Sequence, residues 1–181
     1  MSRESLSKSL SRLRVRAPET QVPGRTRVLF VCLGNICRSP TAEGVFRQLV
    51  KEAGLADAIE VDSAGTGDYH IGEKPDPRAC WAASRRGYDL SSLRARQVTA
   101  KDFQDFDYVL AMDEQNLRAL QRIAAPDGAH KLKMLTDFCS SGECGIPDPY
   151  IGGPEGFDRV LDIVEEGAQG LLRHIRSEIG R

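Results

Sequence analysis

Apolar residues gather from position 27 onward into short runs whose periodicity alternates between that of strands and that of helices. Val28-Leu-Phe-Val31 is a continuous apolar run rich in branched side chains, which predicts a central strand covered on both faces. Tyr108-Val-Leu-Ala-Met112 has the same texture, Ile59-Glu-Val61 reads as a further strand, and Lys131–Leu135 gives a weaker fourth. Between them lie helical patterns. After a loop at 32–39, Pro40 suits the first turn of a helix running to about Ala53 and stopped by Gly54. A second helix is predicted from Pro77 to about Arg86, with Asp76 as its cap and Gly87 as its stop. Thr99-Ala-Lys-Asp102 opens a short helix in the manner of a capping box, and another helix follows near 113–124. From about Glu155, apolar residues at 157, 160, 161, 164, 168, 171, 172, 175 and 179 trace one helical face. This alternation specifies an α/β fold over residues 25–181: a three-layer, doubly wound domain of flavodoxin-like type, with a four-stranded parallel sheet. Ligands in such sheets bind at the carboxyl ends of the strands, where the loop after the first strand lies.

Composition narrows the class. The 181 residues suit one domain; 40% are hydrophobic and 28% charged, as in a soluble globular protein. No apolar run approaches the roughly 20 residues that span a bilayer, so no membrane association is expected. The net charge of −1 is uneven: residues 1–27 carry +5 and the rest −6. An acidic body of this kind does not suit nucleic acid, which needs a basic face. Residues 1–24 are rich in Ser and Arg and broken by Pro18, Pro23 and Gly24, which predicts a disordered basic extension. The expected compartment is the cytoplasm, or an organelle should that extension be a transit peptide. Five scattered cysteines (Cys32, Cys37, Cys80, Cys139, Cys144) do not form a secretory disulfide framework. The equal spacing of Cys32–Cys37 and Cys139–Cys144 allows a four-cysteine zinc site. However, Cys32 and Cys37 sit among phosphate-binding residue types, which favours anion chemistry.

That chemistry resides in Cys32-Leu33-Gly34-Asn35-Ile36-Cys37-Arg38-Ser39. Cys-x5-Arg alone is a weak signal; a strand before it, a helix after it and a glycine within it turn it into a phosphate cradle. Backbone N–H groups of a tight loop converge on an anion, and the helix N-terminus adds its positive end. Arg38 supplies a planar fork for two oxygens. The same surroundings favour a thiolate at Cys32, which can attack phosphorus. Gly34 and Asn35 tolerate the positive φ that such a loop requires. The nucleotide-binding pattern GxxxxGK[ST] is absent, which points to covalent phosphoryl capture rather than nucleotide holding. The ordinary alternative for Cys32 is a small buried hydrophobe. Expelling an alkoxide or phenoxide requires a general acid, and Asp148, pinned between Pro147 and Pro149, is the candidate, although local sequence alone favours a turn residue there.

The assembled blocks resemble the low-molecular-weight protein tyrosine phosphatase family over residues 26–175. They are Val28 through Pro40, Asp62-Ser-Ala-Gly-Thr66, Pro75-Asp-Pro-Arg78, Arg94-Ala-Arg-Gln97, Ala111-Met-Asp113 and Pro147-Asp-Pro-Tyr150. The resemblance implies hydrolysis of phosphotyrosine and aryl phosphate monoesters through a phosphocysteine on Cys32, with Arg38 clamping the phosphoryl oxygens and no metal or other cofactor. Ser39 would hydrogen-bond the Cys32 sulfur, Asn35 would hold the loop's shape through Ser63, Asp148 would serve as acid and then base, and Tyr69 and Tyr150 would wall the substrate ring. The implied partners are phosphotyrosine-containing proteins, met by a monomer or weak dimer. Two positions depart from the family pattern: Ile151 stands where a second aromatic is usual, and Leu93 where a histidine is common, which predicts a smaller network around Asn35 and Ser63. Related activities on the same fold are protein-arginine phosphatase and thiol-dependent arsenate reductase. Ile36 separates the chain from the former, which carries threonine there; Cys80, alone near the centre, lacks the two redox cysteines of the latter. A dead phosphotyrosine-binding module would have no need for the intact Cys32, Arg38 and Asp148 set. A Cys32–Cys37 disulfide is expected as a redox safeguard.

Overall fold

A computed structural model describes residues 24–180, and the expectations placed on residues 1–23 lie outside them. Four strands, β1 (Thr26–Cys32), β2 (Ile59–Gly65), β3 (Tyr108–Ala111) and β4 (Leu132–Met134), form one sheet in the order β2-β1-β3-β4. All three pairings are parallel. The helices are α1 (Arg38–Glu52), α2 (Pro77–Ser84), α3 (Asp102–Asp105), α4 (Glu114–Ile123) and α5 (Glu155–Ile179), with 3-10 turns at Ala129–Lys131 and Leu135–Phe138.

Alternate residues of β1 feed opposite layers, because successive side chains of a strand point to opposite faces. Val28, Phe30 and Cys32 join α1, α2 and α5 in one apolar cluster, whereas Leu29 and Val31 join Phe103, Phe106 and Leu120 in the other. Both faces are therefore dry, which is why the run shows no polar alternation. Phe30 meets Phe46 of α1 edge to face, with ring centroids 5.6 Å apart. Among the described residues no helix is long and apolar enough to cross a membrane.

The elements differ from the expectations mainly at their ends. β1 and β2 pair without a break from Thr26↔Ile59 to Cys32↔Gly65, so β2 runs four residues past Val61 through polar or small positions that give no strong apolar signal. α2 ends at Ser84, two residues early, before Gly87 turns the chain at φ +87°. α3 starts only at Asp102. One half of the expected capping box forms, with the Thr99 N–H donating to Asp102 Oδ2 at 2.8 Å. On α5 the apolar face is buried down to Ile175, with Ile163 added, but Ile179 overruns the core and is exposed.

Candidate active site

The carboxyl end of β1 delivers Cys32 to the bottom of a cleft of about 160 Å³ lined by Cys32, Leu33, Gly34, Ile36, Cys37, Arg38, His70, Asp148 and Tyr150. The loop continues directly into α1, whose first residue is Arg38. No side chain caps this helix and no acidic residue lies in its first turn. By contrast, Asp76 caps α2 and Asp113 caps α4. The positive end of α1 is thus left open toward the cleft, where an anion can take it. Pro40 occupies the first turn, where its missing N–H costs nothing.

Asn35 is the hinge of the loop. Its φ of +55° makes it the one non-glycine with positive φ among the described residues. That strain is held by side-chain bonds: Nδ2 donates to Ser39 Oγ (2.8 Å) and to Ser63 Oγ (3.0 Å), and Oδ1 accepts the Arg96 N–H (3.0 Å). Gly34, expected to share the positive φ, does not; it is small for a different reason, since a Cβ there would lie 3.1 Å from His70 Cδ2. Ser39 Oγ lies 3.0 Å from Cys32 Sγ and within 3.3 Å of the Ala64 carbonyl. With Leu93 in place of a histidine, the network around Asn35 and Ser63 runs into α1. Ser63 Oγ donates to Glu43 Oε2 at 2.5 Å, and Arg47 Nη2 donates to Glu43 Oε1 at 2.5 Å. Leu93 packs against the apolar cluster. Across the loop, a Cβ on Gly65 would meet the Leu33 carbonyl at 2.7 Å. Gly65→Ala is accordingly expected to push the loop off the sheet and to cost about 1–3 kcal/mol, read as a lower melting temperature together with reduced activity.

Arg38 is buried, and its Nη1 makes both anchoring bonds, to Asp113 Oδ2 (2.5 Å) and to the Ile146 carbonyl (2.9 Å). The Nη2 edge faces Asp148 Oδ2 at 3.6 Å, longer than a hydrogen bond. Asp148 is about half exposed, and its Oδ1 accepts the Tyr150 N–H (3.1 Å), so a local turn between the two prolines aims the other oxygen at the cleft. Burial first, then the like charges of Asp76, Cys32 and Asp148, push the Cys37 thiol up to about 12. Cys37 therefore stays protonated near neutral pH and is no rival nucleophile.

The walls are less symmetrical than expected. Tyr150 lines the cleft, with the Arg78 guanidinium 5.5 Å from its ring and 4.8 Å from that of Phe157. Bidentate hydrogen bonding to Arg78 fixes that guanidinium and holds the Asp76 carboxyl below its ordinary value. Tyr69 is 71% exposed and lies over Gly67; its neighbour His70, held by Glu73 at 2.7 Å, lines the cleft instead. Ile151 points into solvent. Sequence reasoning also passed over Glu43, Arg47, Arg96 and Asp113 as supports of the site. Arg96 and Asp113 carried a signal, since both lie in stretches that resemble the family, and Asp113 stands at a helix start. Among the described residues no group of three or more His, Cys, Asp or Glu side chains could hold a metal, so the four-cysteine zinc alternative finds no site.

Comparison with known proteins agrees with this geometry. The family model for low molecular weight phosphotyrosine protein phosphatase matches residues 27–180. A putative low molecular weight protein-tyrosine-phosphatase of Synechocystis is 44% identical over 158 residues, covering 84% of this chain and 98% of its own. The human low molecular weight phosphotyrosine protein phosphatase is 45% identical over 135 residues, covering 74% and 85% respectively. Among solved structures, a protein tyrosine phosphatase of Entamoeba histolytica superposes with a TM-score of 0.82 at 39% identity, covering 84% of this chain and 98% of that one. YfkJ of Bacillus subtilis gives 0.81 at 40%, covering 85% and 96%.

Proposed function

This chain belongs to the low molecular weight phosphotyrosine protein phosphatase family and is a protein-tyrosine phosphatase, and from that premise we propose how its own residues divide the work. The carrying observation is the convergence, at one strand end, of Cys32, the buried Arg38 and the proline-pinned Asp148.

The Cys32 thiolate attacks phosphorus in line with the leaving oxygen. As the P–O bond breaks, Asp148 gives its proton to the departing phenolate, leaving a phosphocysteine. Arg38 and the loop N–H groups hold the equatorial oxygens and stabilise the charge spread over them. Asp148, now a carboxylate, accepts a proton from the water that attacks the phosphocysteine. The P–S bond breaks, and the Ser39 hydroxyl at 3.0 Å hydrogen-bonds the thiolate that leaves. Leu33, Gly34, Ile36 and Cys37 contribute backbone to the cradle, while Asn35 and Ser63 hold its shape. Tyr150, steadied by Arg78, forms one aromatic wall; Tyr69 forms the outer one when a substrate ring enters. Phosphoproteins are the substrate class, phosphotyrosine their reactive group. Ile36 supports tyrosine over arginine as the phosphorylated residue. Five unpaired cysteines support a reducing compartment such as the cytoplasm.

Side-by-side turnover of phosphotyrosine peptide, p-nitrophenyl phosphate, phosphoarginine and arsenate in excess chelator tests this reading. Hydrolysis of the first two alone, inhibited by vanadate, is expected; chelator-sensitive turnover would refute it. Asp148→Ala should slow phosphotyrosine hydrolysis by about 10²- to 10⁴-fold and p-nitrophenyl phosphate much less, because a good leaving group needs little proton donation. Mild peroxide should yield a reversible Cys32–Cys37 disulfide by mass spectrometry: peroxide oxidises Cys32 to a sulfenic acid, which condenses with the Cys37 thiol and releases water. Sulfinic acid on Cys32 without that bridge would sink the idea.

A further inference from the structure

Behind the catalytic loop, the open edge of the sheet carries a second cleft. β2 is an edge strand, and Arg47 on α1 reaches over it, its Nη2 donating to the Val61 carbonyl (2.8 Å) as well as to Glu43. Beside it, between α1 and β2, lies a cleft of about 360 Å³ whose charged lining is Arg25, Arg47, Lys51, Glu60 and Asp62. The two acids are engaged elsewhere: Glu60 receives a two-pronged bond from Arg27 (3.1 and 3.0 Å), and Asp62 is held by Arg96 (3.1 Å) and the Ser63 N–H (2.8 Å). Arg47 is paired with Glu43, but the other two cations are not matched in this way among the described residues. Arg25 donates to the Ala56 carbonyl (2.7 Å), while its Nε is buried with no acceptor among the described residues. Lys51 is exposed, and its ammonium makes no hydrogen bond or ion pair among the described residues. A buried donor without an acceptor is a deficit that a bound ligand can repair.

We infer that this cleft binds a phosphate-class oxyanion, free or carried on a small organic body, and that Arg47 transmits its occupancy to the catalytic loop. Two guanidinium forks and an ammonium suit a tetrahedral oxyanion, and inorganic phosphate is what the family reaction, on which the coupling rests, releases. The transmission path is continuous. Arg47 neutralises one oxygen of the buried Glu43, and the other oxygen takes the Ser63 hydroxyl. Ser63 accepts from Asn35, and Asn35 holds Ser39 against Cys32. An anion that draws the Arg47 guanidinium outward takes one charged partner away from a buried carboxylate. Asn35, at positive φ, then loses part of what restrains it, and the sulfur loses its ordered hydroxyl.

The test uses the intact chain with p-nitrophenyl phosphate, at ionic strength held constant with chloride. Inorganic phosphate at the active site alone raises apparent KM and leaves kcat untouched. Occupancy of the second cleft is expected in addition to lower kcat saturably, by about fivefold, the lower end of ordinary coupling between sites. An alkylphosphonate, which cannot be hydrolysed, should do the same if the organic body is tolerated, and phosphate alone will do so if it is not. Replacing both cations, Arg25→Gln with Lys51→Gln, should return inhibition by phosphate to pure competition. In ¹⁵N NMR spectra of the vanadate-blocked enzyme, phosphate should shift the Arg25 and Arg47 side-chain N–H resonances. A kcat independent of phosphate, or unshifted arginine resonances, overturns the inference and leaves the phosphatase reading intact. Absence of aryl phosphate hydrolysis would instead strike the phosphatase reading, and the NMR arm alone would then decide the cleft.

Discussion

Replacing Cys32 by serine is expected to lower kcat by on the order of 10⁵-fold or more, while phosphotyrosine peptide binding persists. The loss is this large because the cysteine forms the covalent bond of the first step and leaves in the second, so no neighbouring group can substitute for it. Cys37 cannot, since burial and the surrounding negative charge keep its thiol protonated near neutral pH. The fold should tolerate the change. Sulfur and hydroxyl are similar in size, and the Ser39 hydroxyl 3.0 Å away can pair with either. Stopped-flow measurement with p-nitrophenyl phosphate checks the claim: wild type should show a burst of phenol equal to the enzyme present, and Cys32→Ser no burst. Turnover surviving in Cys32→Ser would remove the phosphocysteine from the mechanism.

Arg38→Lys should lower kcat/KM by roughly 10³-fold, although the charge is retained. Nη1 of the guanidinium is committed to Asp113 and the Ile146 carbonyl, so the fork toward the anion is built from what remains, Nε and Nη2. An ammonium has one nitrogen and cannot satisfy both the anchor and the phosphoryl group. Vanadate affinity should fall with kcat/KM, because a five-coordinate oxyanion uses the same two nitrogens. The thermal midpoint should move far less, since Asp113 keeps its bond to the Asn116 N–H at the start of α4. A variant that melts normally yet keeps vanadate affinity would show that Arg38 anchors the loop rather than binding the anion.

How far the site could be read from the chain depends on how local its causes are. The strand at Val28, the loop from Cys32 and the helix after it are contiguous, and their signals act over a few residues: apolar continuity, a loop residue able to take positive φ, a proline in a first turn. Asp148 was legible for the same reason, because its turn is made by its own flanking prolines and the Tyr150 N–H. Glu43 was not. In sequence it is one half of an i,i+4 pair with Arg47, the pattern of a solvated helix face, and only the packing of α1 against β2 makes it a buried carboxylate beneath the loop. Tyr69 and His70 show the same limit. Which of two adjacent residues lines the cleft and which stands outside it cannot be told until the bend at Gly67 and the turn after it set their directions.

The sequence by itself determined the alternation of strands and helices and pointed to a phosphate cradle, with Cys32, Arg38 and Asp148 as the candidate nucleophile, clamp and acid. Tertiary structure decided what holds them. Arg38 meets Asp113 across 75 positions and Ile146 across 108, and Asn35 meets Arg96 across 61. Hydrogen bonds at such separations follow from which faces of the sheet and helices bury one another. That is a property of the whole packed core, which no short window of residues expresses.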